Sequence, residues 1–255
     1  MLKMFRQRFT YFALSCGSGL ALIWGAGADV IFEGESQAAT GYYFLLISNQ
    51  TIISFVGVIL ILIFSALLIS SETASGTLHM NLISPISRLE FLTAKLITGF
   101  SFSFLFVLSV CLPALTIGGL RFGYGSYIEA GLVIFTRWEI FKNIIFCYLL
   151  LLIVLLAYVS YGLLISVLTR NTGFAIGMSV GGVLFLDLVS ERLKISRYIF
   201  QSYVETPFNI VRSATEGFSI IWKPGVLNCL GVSLAWIITC FVLAIFIFSK
   251  KDYKC

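Results

Sequence analysis

No charged side chain occurs between Phe44 and Ser70. A run of that kind exceeds the roughly 18 to 20 apolar residues that a helix needs to cross a bilayer. It is one of six. The spacing predicts spans over about 9–25, 44–70, 91–118, 140–168, 173–189 and 226–248. With 59% apolar and only 11% charged residues, a chain of 255 residues cannot clothe a soluble core in polar surface. The expected fold class is therefore all-α, a polytopic integral membrane protein with six transmembrane helices. No long linker, repeat or low-complexity tract divides it, so residues 1–255 read as one transmembrane domain.

Lys3, Arg6 and Arg8, the apolar run after them and Ala26-Gly27-Ala28 have the form of a cleavable signal peptide. Five further spans follow, and the preferred reading is an uncleaved first span with a basic cytoplasmic flank. With six spans both termini share a side. That side carries Lys3, Arg6, Arg8, Arg88, Lys95, Arg170, Lys250, Lys251 and Lys254 against Glu72, Glu90 and Asp252, a balance of about +6. The other side carries eight cations against nine carboxylates, about −1. The positive-inside rule then places both termini in the cytoplasm of a bacterial plasma membrane. The net charge of +5 reflects that orientation, and no nucleic-acid partner is expected.

Reactive chemistry is sparse. A single histidine, His79, excludes a bis-histidine haem and argues against a zinc site. The cysteines at 16, 111, 147, 229, 240 and 255 show no CxxC spacing. No GxxxxGK[ST] phosphate loop is present, so no ATP site of that kind and no resident cofactor is expected in this chain. Asp187 is the one charge placed inside a span, near the end of the fifth, where a carboxylate at the water interface is the simpler reading than a proton relay. Asn49, Gln50 and Thr51 interrupt the second span, and Asn143 lies early in the fourth. Such groups more often cross-link helices than bind cargo.

Two stripes of small residues repeat every four positions: Ala13, Gly17, Ala21 and Gly25 in the first span, and Gly173, Gly177 and Gly181 in the fifth. Each lies on one helix face and permits close approach of another backbone. Packing within the chain and a contact between subunits are both open at this point.

The polar stretch from Ser70 to Lys95, SSETASGTLHMNLISPISRLEFLTAK, stands between the second and third spans. Ser71-Glu72 ends one span and Gly76-Thr77 breaks the chain. A short amphipathic segment, Leu78 to Ile83, follows, and then Ser84-Pro85 as a turn. Ser87 suits the N-cap of the third span, with Glu90 placed for a capping box. The spacing predicts a span, a short helix along the membrane surface, and a new span.

The order Glu72, Gly76-Thr77-Leu78, Ser84-Pro85-Ile86-Ser87-Arg88, Phe91 and Ala94-Lys95 resembles the coupling region of ABC exporter permeases of the second type. The resemblance is specific in this stretch and reaches the rest of the chain as a six-span plan. It implies a cytoplasmic coupling helix between spans two and three, and a helical segment within Glu191 to Gly225 that re-enters the membrane before the last span. It also implies a second permease subunit, identical or homologous, meeting this one largely through the first and fifth spans. A separate cytoplasmic ABC ATPase would bind ATP and Mg, so this chain would be a transport subunit rather than an enzyme. Glu72, Gly76, Thr77, Leu78, Met80, Leu82, Pro85 and Arg88 become the candidate ATPase-coupling residues. Ala13, Gly17, Ala21, Gly25, Gly173, Gly177 and Gly181 become the candidate dimer interface. Only about eight residues precede the first span, where the family usually carries a longer amphipathic helix. A non-transporting membrane anchor or sensor and an ion-coupled secondary transporter are the alternative readings.

Overall fold

The computed structural model describes residues 8–27, 41–76, 87–125, 127–129, 132–215 and 223–250. Six helices in it are long and apolar enough to cross a membrane, which marks the protein as membrane-embedded. These are α1 (Arg8–Ala26), α2 (Gly41–Ala74), α3 (Arg88–Arg121), α4 (Arg137–Leu168), α5 (Thr172–Leu193) and α7 (Lys223–Lys250). A shorter helix, α6 (Thr206–Thr215), precedes α7. The expected all-α character holds for every spanning element. The one departure among the described residues is a hairpin between α3 and α4. In it β1 (Tyr127–Glu129) pairs antiparallel with β2 (Leu132–Phe135), Glu129 opposite Leu132 and Tyr127 opposite Phe135.

α2 and α4 form the centre. In their most apolar stretches 67% and 61% of residues are buried, against 17% to 33% in the other spans. The two helices meet through small residues. A Cβ added at Gly162 would lie 2.8 Å from the Ser65 Cβ, so only glycine fits there. One turn on, the Ser166 hydroxyl enters the α2 backbone ladder. It donates to the Ala66 carbonyl at 2.6 Å and accepts from the Ile69 and Ser70 amides at 3.0 and 2.9 Å. A hydroxyl placed in this way bonds one helix to the backbone of another without leaving its own polar group unsatisfied in an apolar setting.

α2 carries a second irregularity, a π-helical stretch over Ile52–Gly57. Asn49, one turn before it, donates to the Tyr148 hydroxyl of α4, and Gln50 donates to the Asn209 side chain of α6 at 3.2 Å. Both are cross-links between helices, as their position within a span suggested. An aromatic column of Phe9, Phe64, Phe102 and Phe106 joins α1, α2 and α3, with Phe64 and Phe102 stacked at 3.9 Å.

Between α5 and α6 the chain makes two short 3-10 turns, Ser196–Tyr198 and Phe200–Tyr203. Phe200 is fully buried and packs edge-on against Tyr158 of α4 (4.6 Å) and Trp236 of α7 (5.1 Å). The Trp236 indole N–H donates to the Tyr198 carbonyl at 2.9 Å. Further along, Phe208 meets Tyr148 edge-on, and Arg212 lies over the Tyr43 ring near the start of α2. Apolar contacts at Ile199, Phe200, Tyr203, Val204 and Phe208 thus seat this segment against the centre of the bundle.

Candidate coupling site

The two flanks of the polar stretch meet in a charge pair. Lys95 Nζ stands 2.7 Å from Glu72 Oε1, with only 16% and 13% of the two side chains exposed. Glu72 lies in the last turn of α2, where the helix dipole disfavours a negative charge, so a cation beside it matters. Lys95 comes from the second turn of α3 and also lies 5.2 Å from the centre of the Phe91 ring. Phe91 in turn stacks on Phe248 of α7 at 5.7 Å. One cluster therefore joins the ends of three spanning helices.

Local sequence explains each position. Gly76 follows the last turn of α2 with φ of +69°, a left-handed conformation in which a side chain is strained, and this ends the helix. Ser87 caps α3 as expected. Its hydroxyl accepts from the Glu90 amide at 3.2 Å while the Glu90 carboxylate accepts from the Ser87 amide at 2.9 Å. That capping box starts α3 at Arg88, and the start register places Phe91 and Lys95 on one face, four residues apart.

Arg88 has a task that its sequence context did not reveal. Its Nη1 donates to the carbonyls of Phe248 and Ser249 at 2.9 and 2.6 Å. These belong to the last turn of α7, where carbonyls lack partners within the helix. Arg88 is thus a cap for α7 as well as an exposed cation. Of the other coupling candidates, Thr77, Leu78, Met80, Leu82 and Pro85 lie outside the described residues, as does His79.

The two small-residue stripes separate. Ala13, Gly17, Ala21 and Gly25 are all buried inside the chain against α3. A Cβ at Gly17 would come within 3.0 Å of Phe106 and Val110, and one at Gly25 within 2.5 Å of Ile117. Within the chain α3 fills this face, because small residues let that helix approach. Gly173, Gly177 and Gly181 behave oppositely. All three are exposed along one side of α5, and a Cβ at Gly177 or Gly181 would meet nothing within 4 Å.

No group of three or more histidine, cysteine or acidic side chains suited to a metal occurs among the described residues. Cys16, Cys111, Cys147, Cys229 and Cys240 are unpaired thiols. Asp187 is half-buried, and its carbonyl accepts from the Ser190 hydroxyl at 2.7 Å. The Ser166 insertion and the Gly162 contact escaped sequence reading. Glycine and serine four residues apart in α4 was the available signal, but it is shorter than the stripes in α1 and α5.

Residues 21–254 match the family described as "Protein of unknown function (DUF2705)", and the chain belongs to that family. No curated protein matches it.

Proposed function

We propose that this member of the DUF2705 family is the transmembrane permease subunit of an ATP-driven exporter of the second ABC type. The observation that carries the reading is the cluster of Glu72, Lys95, Phe91, Arg88 and Phe248, which ties the ends of α2, α3 and α7 together beside the Thr77–Ile86 connection. A partner that moved this connection would act on three spans at once. A cytoplasmic ATPase, binding ATP and Mg itself, is the partner in this reading. The connection serves as its coupling element, and both termini lie in the cytoplasm.

Force applied at Glu72 passes up α2, past the Ser166 contact, toward the π-helical stretch, where the ladder of that helix is irregular. Irregular turns bend more readily than a regular helix. The seat of Phe200 between Tyr158 and Trp236, well inside the length of α4 and α7, supports a segment that re-enters the membrane before the last span. The open side of α5 at Gly173, Gly177 and Gly181 supports a second permease subunit there.

The deciding experiment is gentle extraction of the tagged protein from its native membrane, followed by identification of what co-purifies and an ATPase assay. An ABC ATPase held in stoichiometric amount, with activity lowered by Glu72→Ala in a protein that still inserts, supports the reading. Recovery without any ATPase, or transport driven by a proton gradient in the absence of ATP, sinks it.

A further inference from the structure

The end of the bundle opposite the Glu72–Lys95 pair holds a cavity of about 490 Å³, lined by Tyr42, Leu115, Tyr124, Arg137, Trp138 and Phe141. That volume lies within the roughly 300–1,000 Å³ range of small-molecule sites. Its back wall is set by a backbone contact between α2 and α3. A Cβ at Gly41 would lie 2.5 Å from the Gly118 carbonyl oxygen, and one at Gly118 would lie 2.7 Å from that of Gly41. The Gly41 amide also donates to the Gly123 carbonyl at 2.9 Å. This crossing brings the Tyr42 and Tyr124 rings to 4.6 Å, and the Tyr124 hydroxyl donates to the Leu115 carbonyl. The wall is therefore aromatic, with the Tyr124 hydroxyl turned to a backbone acceptor.

The opposite rim is cationic. Arg137 opens α4 and makes no side-chain ion pair or hydrogen bond among the described residues. The carboxylate nearest in sequence, Glu139, is engaged by the Thr136 amide and hydroxyl at 2.9 and 2.7 Å. Lys142, one turn further, lies over the Trp138 ring at 5.6 Å and adds a second positive charge. Trp138 is 63% and Phe141 38% exposed, so this side of the cavity is open rather than packed against the bundle.

A cavity with an aromatic wall, an exposed aromatic side at the end of two spans and two cations against one carboxylate on its rim is complementary to an anionic amphiphile. A small soluble anion would use the cation but not the wall. We propose that this cavity binds an acidic phospholipid. Arg137 holds the phosphate, Lys142 over the Trp138 ring adds to the positive field, and Tyr42, Tyr124, Trp138 and Phe141 line the start of an acyl chain.

The test uses the full-length protein in detergent, titrated separately with phosphatidylglycerol, phosphatidylcholine and inorganic phosphate. Native mass spectrometry reads retention and thermal unfolding reads protection. Phosphatidylglycerol is expected to be retained and to protect more than phosphatidylcholine, with the preference shrinking as salt rises. Each basic residue near an anionic lipid surface contributes about 1 kcal/mol, so Arg137→Gln should weaken phosphatidylglycerol binding about fivefold. Trp138→Ala should lower retention of both lipids. Equal retention of the two lipids overturns the proposal, as does an Arg137→Gln protein that keeps the full preference. Protection by inorganic phosphate alone, with no lipid preference, makes the site one for a soluble anion and also overturns it. Should Arg137→Gln not fold, the wild-type protein decides, because a preference indifferent to salt is incompatible with phosphate held by a guanidinium.

Discussion

Ser166 of α4 and Ala66 of α2 share a hydrogen bond of 2.6 Å, and the same hydroxyl accepts from the Ile69 and Ser70 amides of α2. The central pair of helices is thus joined through the backbone of one of them, between the membrane interior and Glu72. Ser166→Ala takes an acceptor from the Ile69 and Ser70 amides and a donor from the Ala66 carbonyl, which keeps the Ser70 hydroxyl. The expected loss of stability is small, about 1 kcal/mol, as for other hydrogen bonds between spans. Faster amide exchange at Ile69 and Ser70, whose amides lose an acceptor, is the specific sign, and unchanged exchange there counts against the contact.

Glu72 and Lys95 are largely buried, so removing one takes a close opposite charge away from the other. Glu72→Ala and Lys95→Ala should each destabilise the protein by about 1–3 kcal/mol, and the double variant by clearly less than the sum. Thermal unfolding of the four proteins in one detergent completes the cycle. Strict additivity would show that the pair contributes nothing beyond its separate contacts.

Arg88→Ala removes the donor to the last carbonyls of α7. Faster amide exchange in the final turn of α7, at Ser249 and Lys250, is expected, with the other spans unchanged. Arg88→Lys should restore part of the protection, since an ammonium reaches one carbonyl more readily than two. If the helix end is as protected without Arg88 as with it, the cap is not needed to hold it.

The two glycine stripes should respond in opposite ways. Gly17→Leu drives a side chain into Phe106 and Val110, and the folded yield should fall steeply. Gly177→Leu meets open space, so the subunit should still fold. If a second copy or homologue packs on α5, that substitution separates the assembly, which cross-linking through Gly177→Cys in the membrane would detect for a homodimer. An intact assembly with leucine at Gly177 would move the interface elsewhere.

Much of the frame was legible in the chain. Long uncharged runs specify spanning helices because a backbone in hydrocarbon must bond within its own segment. Ser87 and Glu90 specify a helix start because they satisfy each other's amides at short range. Gly76 marks an end through its tolerance of positive φ. Arg88 was less legible, because its acceptors lie 160 and 161 residues away, on a helix end that offers carbonyls without any distinctive side chain.

The sequence alone therefore determined how many helices are long and apolar enough to cross a membrane, roughly where they run, and which stretch between them is polar. Those features follow from local hydrogen bonding and from transfer of side chains out of water, which each segment decides for itself. Only the tertiary structure decided what each face touches. It set the α1 stripe against α3 and left the α5 stripe open, paired Glu72 with Lys95, and threaded Ser166 into α2. Glycine stripes of equal spacing read alike in one dimension. Which is filled depends on the neighbour that the rest of the bundle brings beside it.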